Sequence, residues 1–282
     1  MLPGFPALSA SRLYPPAHMQ RARGTGRLST KLRAERTCID TFYQEGCAKI
    51  RLPRTHGEGL EAVLINTAGG LTGGDRLEWE ADAAPGSKLV LTTQACERIY
   101  RSTGDDARVS TILKIGPGAH VDWLPQETIL FEASRLHRTL KVDLAEGATL
   151  TAVEAVLLGR EAMGEAARAA RLNDRWEIRR NGRLVHAEAS RLTGDGFERE
   201  APSLLDGNNA FATVLAVTPA AEEKLDALRA LLDPHISAAA SAVGERLVLR
   251  VLAPSGLELR RVIAPAIALL SGAGALPRLW TI

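Results

Sequence analysis

From Gly59 onward the apolar positions of the chain recur with a period of two, the signature of strands that bury one face. In "RLEWEAD" Leu77, Trp79 and Ala81 fall on one side and Glu78, Glu80 and Asp82 on the other. "ARVSTILKI" groups Val109, Thr111, Leu113 and Ile115. "LHRTLKVDL" groups Leu136, Leu140, Val142 and Leu144, with Arg138 as the exception. Gly-Pro-Gly at 116–118 and Glu-Gly at 146–147 supply turns between these runs, which predicts repeated strand-turn-strand ribbons. The strongest hairpin signal is "DRWEIRRNGRLVHAEASRL", where Asn181-Gly182 suits a type I′ turn. In that register Trp176 and Ile178 share a face with Val185 and Ala187.

Helix is scarcer and lies mostly late. "TPAAEEKLDALRALLD" has a Thr cap at 218, Pro219 at the first helical position and an apolar stripe of Leu225, Leu228, Leu231 and Leu232. "GLELRRVIAPAIALLSG" predicts a second helix, kinked or broken at Pro265. A short Ala-rich helix is expected between Glu161 and Ala170, weakened by Gly164. Strands crowded into the first two thirds, with helices appended, do not alternate in the βαβ manner, which argues against a doubly wound parallel sheet. The pattern predicts a mainly β architecture of stacked sheets with peripheral helices.

Composition narrows the function classes more than the fold. The 282 residues are 45% hydrophobic and 24% charged, which suits an ordinary globular chain read as one large domain. Lys and Arg number 35 against 33 Asp and Glu, with the signs interspersed, so nothing asks for nucleic acid or a membrane surface. The exception is the start of the chain, where residues 1–34 hold five arginines and one lysine without an acid. Its prolines and glycines break a long amphipathic helix, which predicts a basic, disordered arm over 1–26 ahead of a single domain over 27–282. Three cysteines, Cys38, Cys47 and Cys96, lack pairing or metal-ligand spacing, which fits a reducing, cytoplasmic setting. The longest apolar stretch, Val262 to Leu276, is interrupted by Pro265 and is shorter than the roughly 20 residues that span a bilayer. It is either a buried helix or an exposed apolar patch.

Candidate chemistry is sparse. "INTAGGLTGGDRLEWE" holds the glycines Gly69, Gly70, Gly73 and Gly74 and ends in Asp75, but it lacks the lysine and following helix of a phosphate loop. It reads as a Gly-rich turn in which Asp75 bonds nearby amides, with glycine content that invites the close approach of another backbone. Glu127 and Glu132, five residues apart in "WLPQETILFEASRL", point to opposite faces of a continuous strand and read as solvated rather than as a paired acid and base. Glu154 shares a face with Leu150, Ala152, Val156 and Leu158, so it must find a partner, an arginine being the natural one, or line something wet. The six histidines show no ligand spacing, and no nucleophile elbow occurs.

Five blocks taken together resemble one known family. "NTAGGLTGGDRL" (66–77), "LTTQACERIYRS" (91–102), "VDWLPQETILFEASRL" (121–136), "LGREAMGE" (158–165) and "LPRLW" (276–280) are similar, in order, to the UreD (UreH) family of urease accessory proteins. The resemblance implies a β-helix-like stack of two sheets with mostly C-terminal helices. It also implies a non-enzymatic scaffold that binds urease apoprotein and joins UreF and the GTPase UreG in delivering nickel, with an internal tunnel as the route. No tightly bound cofactor is then expected; nickel passes through, and GTP belongs to UreG. On that reading Asp75, Glu165 and, less so, Glu154 are candidate acids along the nickel passage, and Gly69, Gly70, Gly73 and Gly74 its backbone walls. Thr92, Thr93, Gln94, Tyr100, Arg101, Ser102, Pro125, Gln126 and Glu127 match family blocks without an assigned role. The rival reading is a carbohydrate-active enzyme on a β-solenoid, which the 4% aromatic content disfavours for want of sugar-stacking platforms.

Overall fold

The computed structural model describes residues 20–54, 58–195, 199–272 and 276–281. The first nineteen residues of the expected arm lie outside these, and Arg23–Gly26 already belong to the first strand.

Two sheets carry the fold. One contains β1 (Arg23–Arg33), β2 (Arg36–Gly46), β5 (Arg76–Ala83), β8 (Ala107–Ile115), β11 (Arg135–Leu144), β13 (Arg171–Arg180) and β14 (Arg183–Leu192), in the spatial order β14-β13-β11-β8-β5-β1-β2. The other is built on β3 (Ala48–Arg51), β4 (Leu60–Asn66), β6 (Lys88–Thr93), β9 (His120–Leu124), β12 (Thr149–Leu158), β15 (Ala210–Val217), β16 (Ser237–Val243) and β17 (Arg246–Ala253). The short strands β7 (Glu97–Ile99) and β10 (Thr128–Leu130) extend it beside the end of β12. From β4 to β13 the chain passes alternately between the sheets, and successive visits to each sheet pair in parallel. The result is a β-solenoid of about four turns.

The expected ribbons therefore differ from the structure. Gly-Pro-Gly at 116–118 does not fold β8 back on itself; it carries the chain across to β9 in the opposite sheet. Period-two burial holds in both arrangements, because each strand still turns one face to the interior, and so it cannot separate them. In β5, Leu77, Trp79 and Ala81 are buried as expected, and in β11 Arg138 is buried with its apolar neighbours.

Asn181 and Gly182 form the β13–β14 turn with φ of 48° and 79°, as a type I′ turn requires. The facing residues differ from expectation. A bulge between Ile178 and Arg179 shifts the register, so Trp176 pairs with Glu188 and Ile178 with His186. His186 and the Glu188 side chain thereby turn inward and Ala187 is exposed, while Val185 stays half-buried against the core.

Helix is also shorter than expected in one place and more regular in another. Of residues 218–232 only α1 (Leu225–Ala230) is helical; 219–224 are turns, although Thr218 Oγ1 does accept from the Ala220 amide. The segment between Glu161 and Ala170 holds only a 3-10 turn at Glu161–Met163. Helix α2 (Gly256–Leu270) runs unbroken through Pro265. Ser255 caps it by accepting from the Glu258 amide, and its face of Leu259, Val262, Ile263, Ala266, Ile267 and Leu270 is buried on the outside of the second sheet. That burial outweighs the hydrogen bond the proline cannot donate, and it settles the apolar stretch at 262–276 as core over its helical part.

Candidate functional site

Where β7 and β10 lie beside the end of β12, the second sheet acquires a short outer row. Ile129 pairs with Arg98 on one side and with Leu157 on the other, and all three point away from the solenoid interior. The loop at 159–166 and the N-terminal end of α2 rise on either side of this row. Together they enclose a cleft of about 1150 Å³.

The cleft gathers residues from four of the five blocks: Gln94, Cys96 and Tyr100; Gln126 and Glu127; Glu161, Met163 and Glu165; and Leu279. A smaller pocket of about 170 Å³, walled by Asn66, Gly69, Gly70 and Trp79 among others, shares Gln94, Ala95, Cys96 and Arg98 with it. The fifth block thus adjoins the same place. A sequence cannot display this convergence, because turns of a solenoid bring residues roughly thirty positions apart into register.

One wall of the cleft is an ion-paired network. Glu127, 4% exposed, accepts from Arg260 Nε at 2.9 Å and from Arg260 Nη2 at 3.0 Å. Gln126 accepts from the same guanidinium and donates to the Leu279 carbonyl at 3.2 Å. The guanidinium also lies 5.0 Å from the Trp280 ring centroid. Glu127 is therefore not a solvated strand position. Its partner comes from a helix 133 residues away, which periodicity could not reveal. Cys96 donates to Glu127 at 3.4 Å, and burial followed by the Glu127 charge pushes its thiol up to about 11, so it stays protonated and poorly suited to hold a metal.

The opposite wall runs through aromatic rings. Glu165 accepts from the Glu132 amide at 2.5 Å and from Arg160. Arg160 lies 4.7 Å from the Phe131 ring centroid, and Phe131 meets Tyr100 edge to face at 5.1 Å. Tyr100 donates to the Gly69 carbonyl at 3.2 Å and packs against Gly70, where a β-carbon would strike the ring and the Arg98 carbonyl. A β-carbon on Gly73 would strike Ser102 and the Asp105 carbonyl. Close approach of neighbouring chain, as expected from the glycine content, is thus present at both positions, and Gly74 packs against Arg21.

Asp75 is 5% exposed and accepts from the Ala22 amide at 2.8 Å and the Thr72 amide at 2.7 Å, one on each oxygen. It ties the glycine turn to the residues entering β1. The remaining block residues mostly hold loops together. Thr93 Oγ1 accepts from the Gln126 amide, the Arg101 carbonyl accepts from Thr72, Ser102 donates to the Asp105 carbonyl, and Thr92 and Pro125 are buried.

Glu154 lies elsewhere, inside the solenoid. It pairs with Arg138 at 2.5 Å and accepts from Trp123 Nε1 at 3.0 Å; Arg138 also pairs with Asp174 at 2.7 Å and donates to Thr128 at 3.0 Å. The arginine expected for Glu154 is the exceptional residue of "LHRTLKVDL". Desolvation, only partly offset by Arg138, raises the Glu154 carboxyl, and the nearby Asp174 charge raises it further. The structure therefore does not bring Asp75, Glu154 and Glu165 together. Among the described residues no group of three or more His, Cys, Asp or Glu side chains is placed to hold a metal ion.

Residues 22–281 match the sequence profile of a family described as UreD urease accessory protein. The chain belongs to the UreD family. It is 75% identical over 267 residues to the urease accessory protein UreD of a Chelativorans species, covering 95% of this chain and 96% of the relative. UreD of Rhizobium etli is 50% identical over 264 residues (93% and 96%), and UreD of Brucella suis 49% identical over 267 (94% and 96%). UreD proteins are accessory scaffolds in urease maturation and not catalysts, so the carbohydrate-active reading is set aside. No helix among the described residues is long and apolar enough to cross a membrane.

Proposed function

We propose that this chain is a cytoplasmic scaffold for nickel delivery, binding urease apoprotein and assembling with UreF and UreG, and that the motif-lined cleft is a docking surface in that assembly. The convergence of four family blocks on one open cleft carries the reading. Its rim exposes Tyr100 at 40%, Leu257 at 63% and Met163 at 71%, apolar surface that a folded chain ordinarily covers and a partner would bury. A volume near 1150 Å³ exceeds the usual range for small-molecule sites and suits a protein segment.

Nickel passage, as cargo, is supported best inside the solenoid. Asp75, Glu165 and Glu154 each have both oxygens engaged by donors of this chain, but only Glu154 of the three stands beside a small interior chamber, walled also by Asp174, Glu188 and Thr213. That chamber shares Glu188, Ser190, Phe211 and Thr213 with a surface pocket of about 330 Å³. The experiment is removal of the gene from a urease-producing host, with nickel-dependent urease activity and co-purification of UreF, UreG and urease apoprotein as readouts. Loss of activity together with recovery of all three partners on the tagged chain supports the reading, and normal activation without the gene overturns it.

A further inference from the structure

The buried carboxylates described above are compensated from within the chain: Glu127 by Arg260, Glu154 and Asp174 by Arg138, Glu165 by Arg160, and Asp75 by two backbone amides. Glu188 is likewise held by Arg250 at 2.9 Å. Glu97 differs. On β7 it faces inward, opposite Thr128, into the pocket of about 170 Å³, where Asn66 Nδ2 donates to it at 3.0 Å. No salt bridge is made to it among the described residues. Burial pushes its carboxyl up to about 7, against the pull of the Asn66 and Arg98 hydrogen bonds.

Leu64, Ile65 and Trp79 give the pocket aliphatic and aromatic walls, Thr93, Cys96 and Arg98 line it too, and it opens past the exposed Gly69 and the exposed Gln94 and Ala95. Asn66 turns Nδ2 to Glu97 and its Oδ1 to the Ala68 amide, so the group beside the carboxylate is a donor and not a second oxygen for a metal ion. A single carboxylate at the end of an apolar-walled pocket matches a single positive charge carried on an alkyl stem.

We propose that the Glu97 pocket receives a lysine side chain of the partner that docks in the adjoining cleft, its methylenes against Leu64, Ile65 and Trp79 and its ammonium on Glu97. This rests on the docking reading of the cleft and names its anchor. The ammonium supplies the missing counter-charge, so the ion pair forms only when a partner is seated. A desolvated pair of this kind is a typical anchor of an interface.

The test uses the full chain and n-butylammonium, which reproduces the lysine stem and head, with 1-butanol as the uncharged control. Binding is followed by NMR at the Trp79 indole and Asn66 amide. At pH 8 the ammonium should bind at least tenfold more tightly to the native chain than to Glu97→Gln, with 1-butanol showing no such difference. In the native chain affinity should rise as pH increases through about 7 and then level. The thiols of Cys96 and Cys47 are raised by burial and stay neutral there, so Glu97 sets that profile. Equal binding to both chains, or a flat pH profile, overturns the proposal. Because the titration needs no partner, its result stands apart from whether urease activation requires the chain.

Discussion

The interior cluster of Arg138, Glu154 and Asp174 and the pocket of Glu97 both put carboxylates out of water, but they resolve the cost differently. Inside the solenoid one guanidinium bridges two acids from strands on opposite sheets, and Trp123 and Thr128 add hydrogen bonds, although Arg138 Nε and Asp174 Oδ1 are left without a partner. At the pocket Glu97, half-buried, accepts from the Asn66 amide and makes no salt bridge among the described residues. Charges that lock the two sheets together must be satisfied at every moment of the protein's life. A charge left without its counter-ion beside an open cleft has a use only when something arrives. The contrast separates groups that belong to the fold from a group available to a partner, although both face the interior of the same solenoid.

Breaking the interior cluster should have the largest effect. Arg138→Met leaves two buried carboxylates without their cation and should cost about 3–5 kcal/mol in unfolding by denaturant. Glu97→Gln should act in the opposite direction. A carboxyl raised above its unfolded value contributes stability that is present below the unfolded pKa and is lost as pH rises through the folded value of about 7. The native chain therefore loses on the order of 3 kcal/mol between roughly pH 4.5 and 7 on account of Glu97, and the glutamine variant should be the more stable of the two at pH 8. Paired melts of the two proteins across that range check the sign.

Arg260→Ala should cost about 2 kcal/mol, since it strips Glu127 and Gln126 of their donor and uncovers Trp280, though the site is partly wet. The smallest change should follow Lys31→Ala. Its 2.7 Å pair with Asp40 is exposed on both sides, and a shift of no more than about 0.5 kcal/mol is expected.

How much of this the sequence discloses depends on the distance over which each feature is decided. The Asn181-Gly182 turn is local, and the residues announce it. The need of Glu154 for a partner is also legible, because an acid on an otherwise apolar strand face has few alternatives. The bulge one residue before that turn's last strand positions is not legible, and it reverses which side chains of β14 enter the interior, bringing in His186 and Glu188. Glu188 is held down to about 2: burial opposes this, but His186 at 3.6 Å and the hydrogen bonds from Arg250 and Thr213 outweigh it. The cleft is further out of reach. Its ion pair joins β10's approach to α2, and its mouth joins four segments that only the winding of the solenoid brings side by side. Family resemblance marks those segments as belonging together without saying where they meet.

If the cleft, rather than the blocks taken one by one, is what the partners bind, a single substitution on its wall should release them. Leu257→Asp tests it most directly, because this residue is 63% exposed on the cleft wall and lies outside all five blocks. The tagged variant and the native chain should be purified alongside co-expressed UreF, UreG and urease apoprotein, with thermal melts confirming that both are folded. The expected result is an unchanged melting temperature with recovery of the partners reduced at least tenfold. Full recovery of all three partners on the folded variant would contradict it.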